Sequence, residues 1–193
     1  MLRSNLLAVT LTATFVAPAL AHTGVYQVTS FSAGLAHPVS GADHILAMTA
    51  LGLWAVSVGG RAIWIWPTTF VAAMLAGFAA ASLGLAAPFV ETVIALSVVA
   101  LGLFVALAVK APLWLGAAIA GLFAFFHGHA HGAEAAAQSL IPYAAGFALT
   151  TAALHAGAIG LGLLAKGSTG KAALRATGGI AALSGLALMV GVT

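Results

Sequence analysis

The sequence predicts an all-α integral membrane protein, with six transmembrane helices that follow a cleaved N-terminal signal peptide. Hydrophobic residues make up 63% of the 193 residues and charged residues only 5%, whereas a soluble domain carries about 25% charged residues. Six apolar segments also exceed the ~17 residues that a helix needs to cross about 30 Å of hydrocarbon. Helices are favoured because the sequence lacks the short strands of alternating polarity that membrane barrels require.

Residues 1–21 have the features of a secretory signal peptide. Arg3 supplies a positive charge, residues 6–17 are a short apolar stretch, and an A-x-A cleavage pattern ends at Ala21. An uncleaved first helix is the alternative, but the apolar stretch is short for a span of about 20 residues. Cleavage would make His22 the first residue of the mature chain, with a free α-amine beside its imidazole.

Residues 22–193 are predicted to form one transmembrane domain, because no linker or clear internal repeat divides them. The predicted spans are residues 38–59, 64–85, 89–109, 112–131, 140–165 and 172–192. The many glycines favour close packing between these helices. Without cysteine, the chain has neither disulfides nor thiolate metal ligands.

The charged residues predict how the domain is oriented in the membrane. The basic residues that follow the signal peptide all map to one face: Arg61, Lys110, Lys166, Lys171 and Arg175. The positive-inside rule makes this face cytoplasmic, and all four tryptophans fall near it, as in an aromatic belt. The three acids map to the opposite face: Asp43, Glu91 and Glu134. We therefore expect a multi-pass membrane protein with both mature termini on the outer side.

The motif FHGHAHGAE, residues 126–134, has the spacing of a metal site on a helix. His127 and His131 are four residues apart and share a helix face, as the two histidines of H-E-x-x-H do when they bind one metal. Glu134 lies three residues further and can reach the same face. His129 points elsewhere, so we expect it to capture ions at the mouth of the site or to face water. A surface histidine tract that binds metal incidentally is the alternative.

The motif HPVSGADH, residues 37–44, predicts a second group of ligands. On a continuous helix His37 and His44 would be about 10 Å apart, too far for metal–nitrogen bonds of about 2 Å to one ion. Either Pro38 and Gly41 break the helix and fold His37 back, or His37 belongs to a separate outer site. We favour the broken helix, since proline removes a helical hydrogen bond and glycine permits unusual dihedral angles. Asp43 enters the membrane beside His44.

Charge favours joining the two motifs, because a divalent ion between Asp43 and Glu134 is formally neutralised. Glu91 is either a third acid of this vestibule or a solvated acid favoured by the helix dipole. His155 lies about 20 Å below Pro142 at helical rise, near the middle of the membrane. A buried structural histidine is the alternative there, but an ionisable group at that depth is a functional hypothesis by default.

These motifs resemble those of the HupE/UreJ family of small bacterial membrane proteins, which is associated with hydrogenase and urease gene clusters. The family patterns are H-x5-D-H in the first span and F-H-G-x-[AV]-H-G-x-E in the fourth. The first is matched by His37, Asp43 and His44, and the second by Phe126, His127, Gly128, Ala130, His131, Gly132 and Glu134. His129 occupies a variable position of the second pattern. The resemblance covers the whole chain and implies a nickel or cobalt permease.

We therefore expect a permease, not an enzyme, that admits Ni²⁺ or Co²⁺ as its substrate and has no permanent cofactor. Capture would begin at His22, His37 and the histidines of the second motif. Partial dehydration would follow at Asp43, His44, His127, His131 and Glu134, and passage would lead past His155. Lipid is the expected partner, nucleic acid is not, and a homo-oligomer is left open. The alternatives are an intramembrane metal hydrolase that recruits Ser40 and an accessory protein that hands nickel to a partner.

Overall fold

The computed structural model describes residues 30–134 and 140–192, and the regular structure in these ranges is entirely α-helical. The helices in the described ranges are α1 (Phe31–Ser40), α2 (Ala42–Val58), α3 (Ala62–Ser82), α4 (Val90–Ala106), α5 (Leu113–Glu134), α6 (Leu140–Leu164) and α7 (Gly167–Val192). The all-α prediction is confirmed. The predicted signal peptide and His22 lie outside the described residues.

Four of these helices, α3, α5, α6 and α7, are long and apolar enough to cross a membrane. Helices α1 and α2 pass the same test together, but they are bent by 79° with respect to each other. Helix α4 is apolar and has 17 residues, which corresponds to about 26 Å at helical rise. The described part of the chain therefore has four or five spans by length and composition, with α4 as a shorter apolar helix.

The first helical segment is broken at Gly41, as we favoured from the sequence. Gly41 has extended dihedral angles, and Pro38 lies inside the last turn of α1. The Ser40 hydroxyl donates a hydrogen bond to the His37 carbonyl over 2.7 Å, which satisfies one of the carbonyls left without a partner at a helix end. The break thus combines a proline, a glycine and a local side-chain cap.

Helix α1 begins at Phe31, although the sequence analysis placed the first span from residue 38 onward. Ser30 caps this helix, because its hydroxyl accepts a hydrogen bond from the Ala33 N–H over 3.1 Å. Serine is among the preferred residues at this position because it satisfies a free N–H of the first turn. The predicted boundary was wrong because it followed hydropathy and not the cap.

Helix α2 lies in the centre of the bundle and contacts α1, α3, α4, α6 and α7. Around it, α3 packs along α5, α4 along α7 and α1 along α6. Glycine permits the closest of these approaches: a Cβ atom on Gly128 of α5 would lie 1.8 Å from the Met74 carbonyl oxygen of α3. The backbones of α3 and α5 are therefore in direct contact, as small residues allow in membrane bundles.

Two of the four tryptophans do not form the predicted aromatic belt. Trp64 and Trp114 are exposed, but Trp54 and Trp66 are fully buried with ring centroids 4.3 Å apart. Their indole N–H groups donate to the carbonyls of Val109 and Leu113, which removes the cost of burying these polar groups. These two side chains therefore join α2 and α3 to the connection between α4 and α5.

Two basic side chains bring several helix ends together. The Lys110 ammonium donates to the Ser57 carbonyl at the end of α2, and the Arg175 Nε donates to the Ala106 carbonyl at the end of α4 over 2.7 Å. Asp43 lies in the first turn of α2 and Glu91 in the first turn of α4. The acids therefore begin the two helices whose other ends are held by basic residues.

Candidate functional site

Four histidines from three helices form one cluster. They are His37 of α1, His44 of α2, and His127 and His131 of α5, and together they are called the histidine cluster below. The ring centroid of His131 lies 4.2 Å from that of His37 and 4.6 Å from that of His44. His44 and His127 are 4.7 Å apart by the same measure. The two sequence motifs therefore meet in space.

The break at Gly41 is what brings His37 into this cluster. The ring centroids of His37 and His44 are 6.1 Å apart, whereas a continuous helix would separate the two residues by about 10 Å along its axis. Helix α1 is held in this position by α6, whose Thr150 hydroxyl donates to the Leu35 carbonyl over 2.9 Å. The structure thus has the folded-back His37, not a separate outer site for this residue.

His129 is buried, so the prediction that it faces water was wrong, whereas the prediction that it captures ions stays a prediction. Its side chain points away from the other histidines of α5, as its helical phase predicts. Its Nε2 atom lies 2.7 Å from the Leu85 carbonyl oxygen and donates to it, since a carbonyl can only accept. The connection between α3 and α4 supplies this partner, which sequence spacing does not reveal.

We expect His129→Ala to lower the thermal stability of the purified protein, because the hydrogen bond between α5 and the connection that contains Leu85 is lost. A hydrogen bond of this kind contributes about 0.5–1.5 kcal/mol. Thermal unfolding in detergent, followed by circular dichroism, measures the change. A midpoint equal to that of the unsubstituted protein would show that this bond does not hold the connection in place.

A carboxylate and a hydroxyl lie beside two ring nitrogens that face away from the centre of the cluster. The Asp43 Oδ1 atom lies 3.5 Å from His44 Nδ1, and the Ser97 Oγ atom of α4 lies 2.9 Å from His127 Nε2. Ser97 is fully buried. The sequence analysis missed Ser97, although a hydroxyl within the apolar α4 was a usable signal.

The inner nitrogens of the cluster face one another. His44 Nε2 lies 3.4 Å from His127 Nδ1 and 3.1 Å from His131 Nε2. Two nitrogens bound to one ion through bonds of about 2.1 Å would be separated by roughly 3.0–3.4 Å. Among the residues that the structure describes, however, no group of three or more His, Asp or Glu side chains is arranged to hold a metal ion. The pairwise spacing fits an ion, but the present ring orientations do not enclose one.

Aromatic rings surround the cluster and separate it from His155. The Phe147 ring of α6 lies 5.0 Å from that of His131 and 5.7 Å from that of His44. The Phe70 ring of α3 lies 5.8 Å from that of His127 and 5.1 Å from that of His155. Phe70 is therefore in contact with histidines on both sides, and no sequence pattern pointed to either phenylalanine.

The remaining predicted site residues are not all brought into the cluster. His155 is 1% exposed, and within the described residues neither of its ring nitrogens has a hydrogen-bond partner. Glu91 is exposed in the first turn of α4, where the helix dipole favours an acid. Helix α5 ends at Glu134, but the side chain of this residue lies outside the described part of the chain, as does His22.

The similarity of this chain to known proteins agrees with the family that the two histidine motifs indicate. The family described as HupE / UreJ protein matches the chain over residues 9–188. Protein HupE of Rhizobium leguminosarum bv. viciae is 47% identical over 176 residues, which cover 90% of this chain and 92% of that protein. No solved structure matches the chain significantly. Because the family match includes both histidine motifs and nearly all of the helical bundle, the chain belongs to the HupE/UreJ family.

Proposed function

We propose that this protein is a permease that admits Ni²⁺, or Co²⁺, from the periplasm to the cytoplasm through the histidine cluster. The observation that carries the proposal is the meeting of four imidazoles from two distant motifs inside an apolar bundle. Imidazole suits nickel, as it also suits zinc, copper and iron, so the choice of Ni²⁺ or Co²⁺ rests on the family resemblance and not on the ligands. The HupE/UreJ family to which the chain belongs is a transporter or accessory family and not a known enzyme family.

The proposed topology has six spans after a cleaved signal peptide. The broken pair α1 and α2 is the first span, and α4 is a short span whose 17 residues fall at the lower end of the range for membrane helices. The basic residues near Lys110 and Arg175 then lie in the cytoplasm, in agreement with the positive-inside rule. Asp43 and the mature termini lie on the periplasmic side of the inner membrane.

The gradient of burial suggests the direction of ion movement. His37 is partly exposed, His131 is 6% exposed and His127 is fully buried. An ion captured at His37, or first at the N-terminal His22, would pass from ring to ring toward His127. It would then pass Phe70 and reach His155, whose two nitrogens are available in the apolar interior. The rings of the cluster must rotate during this passage because they contact one another in this structure.

Carboxylates would offset the charge of the ion at the start of this path. Asp43 lies beside His44, and α5 ends at Glu134 on the same motif as His127 and His131. A divalent cation between two carboxylates is formally neutral, which lowers the cost of moving it into hydrocarbon. Neutral imidazoles then supply donors without adding charge.

The alternative of a metal hydrolase that recruits Ser40 receives no support from the geometry. Ser40 is exposed, and its hydroxyl donates to the His37 carbonyl of its own helix end. An accessory protein that binds nickel without conducting it would use the same cluster. The two functions therefore differ in whether the ion crosses the membrane, not in which residues bind it.

Uptake of radioactive Ni²⁺ into proteoliposomes that contain only this protein tests the proposal. We expect saturable uptake above that of protein-free vesicles, with competition from Co²⁺. Binding of Ni²⁺ to the detergent-purified protein, measured in parallel, separates the alternatives. Binding without uptake would support the accessory function, and neither binding nor uptake would contradict both functions.

A further inference from the structure

We propose that Ser97 is a positioning residue that fixes the protonated nitrogen of His127, so that this histidine meets the metal ion through Nδ1. The inference rests on the proposed function and deepens it, because it names the ligand atom and the residue that selects it. Ser97 lies on α4, outside both histidine motifs. Its Oγ atom is 2.9 Å from His127 Nε2.

The Ser97 hydroxyl uses its single proton within its own helix. Serine has one O–H donor, and the Ser97 hydroxyl donates it to the Ile94 carbonyl over 2.6 Å. The carbonyl cannot donate in return. The contact with His127 is then a hydrogen bond only if His127 Nε2 carries a proton and donates it to the serine oxygen. This assigns the Nε2–H tautomer to a neutral His127 and leaves a lone pair on Nδ1.

The contact between Ser97 and His127 lies in the interior of the bundle. Ser97 and His127 are both fully buried, so bulk water does not compete for this hydrogen bond. The other close neighbour of His127 on the inner side is the ring of Phe70, which offers no oxygen or nitrogen acceptor. With the opposite tautomer, the Ser97 hydroxyl would have to turn away from the Ile94 carbonyl and donate to His127 Nε2 instead, which gives up the hydrogen bond of 2.6 Å. Losing a hydrogen bond within an apolar interior costs free energy.

The His127 Nδ1 atom, which carries the lone pair, faces the other histidines of the cluster. This atom lies 3.4 Å from His44 Nε2. On the other side of its ring, His44 places Nδ1 3.5 Å from the Asp43 carboxylate, which can only accept and therefore favours a proton on that nitrogen. The lone pairs of these two neutral histidines consequently lie on the two nitrogens that face each other across 3.4 Å. A cation between them relieves their repulsion, and outer partners of this kind orient metal-binding histidines in many proteins.

The tautomer of His127 is measured directly by long-range proton–nitrogen NMR on the full chain with labelled histidines in detergent. The His127 signals are assigned by their loss in His127→Asn. In the metal-free protein we expect Nε2 to be the protonated nitrogen and Nδ1 the unprotonated one. A protonated Nδ1 in the unsubstituted protein would overturn the proposal without requiring any variant to fold.

Three variants then test the effect on nickel. We expect Ser97→Ala to give a mixture of His127 tautomers and to raise the half-saturating Ni²⁺ concentration about 10–100-fold, as is usual when an outer-shell partner is lost. Ser97→Thr keeps the hydroxyl and should restore the Nε2–H form. Ser82→Ala is the matched control, because the Ser82 hydroxyl also donates to a helix carbonyl, that of Phe78 over 2.8 Å. It should change neither the tautomer nor the affinity.

The readouts separate this inference from the proposed function. Absence of uptake by the unsubstituted protein would contradict the permease, whereas an Nε2–H His127 with weaker Ni²⁺ binding in Ser97→Ala would still support the role of Ser97. Conversely, uptake with an unchanged tautomer and unchanged affinity in Ser97→Ala would contradict the role of Ser97 and leave the permease intact.

Discussion

Replacing His131 by alanine is expected to lower Ni²⁺ uptake into proteoliposomes by roughly 100-fold or more, since loss of even an outer-shell partner costs 10–100-fold. His131 is in ring contact with both His37 and His44. The His131 ring therefore lies next to both His37 of α1 and His44 of α2. Removing its imidazole leaves a gap of 6.1 Å between the ring centroids of His37 and His44, with no other histidine ring of the cluster between them.

His129→Ala is the matched control for this prediction. It removes an imidazole from the same helix, two residues away, and His129 is buried to the same degree as His131. Because its partner is the Leu85 carbonyl and not the cluster, we expect most uptake to remain per correctly inserted molecule. Equal losses in the two variants would mean that histidine content, and not position, determines transport.

Gly128→Ala is expected to abolish uptake and to destabilise the bundle, although it adds only one methyl group. The new Cβ atom would lie 1.8 Å from the Met74 carbonyl oxygen and 2.6 Å from its carbon. Backbone atoms cannot rotate away, so α5 must move from α3 by more than an ångström. Overpacking of this kind typically costs about 1–3 kcal/mol, occasionally more. His127 and His131 would be displaced with the helix.

Gly121→Ala provides the comparison on the same helix. A Cβ atom at this position would meet the Thr69 Cγ2 atom at 3.5 Å and the Ala73 Cβ atom at 3.8 Å, which are ordinary van der Waals distances. Thermal unfolding in detergent and uptake should therefore remain close to those of the unsubstituted protein. A Gly128→Ala protein that matches Gly121→Ala in both measurements would show that the contact with α3 is not essential.

The sequence was most informative where a local rule decides the geometry. The four-residue spacing of His127 and His131 places them on one helix face whatever surrounds the helix. Pro38 and Gly41 predict a break for reasons that lie in their own backbones. In each case the chemistry of a few neighbouring residues was sufficient, and tertiary packing did not reverse the outcome.

The sequence was least informative where the partner of a side chain comes from a distant segment. His129 was expected to face water or the mouth of the site, but the Leu85 carbonyl from another connection allows it to be buried. Trp54 and Trp66 are interior for the same reason. Ser97 belongs to α4, which carries no histidine motif. Phe147 belongs to α6, which carries a single histidine. No spacing rule links them to the cluster.

The attachment of α1 to α6 has a mechanical consequence. A Cβ atom on Gly34 would lie 2.1 Å from the Tyr143 carbonyl oxygen, and one on Gly146 would lie 2.2 Å from the Phe31 carbonyl oxygen. Helix α1 is thus continuous with α2 in sequence but fastened to α6 in space, with Gly41 as the pivot between them. Any displacement of α6 relative to α2 carries His37 with it and changes its separation from His44. Because His155 lies on α6 itself, the same displacement would move His37 and His155 together, on either side of the three other histidines of the cluster that α2 and α5 supply.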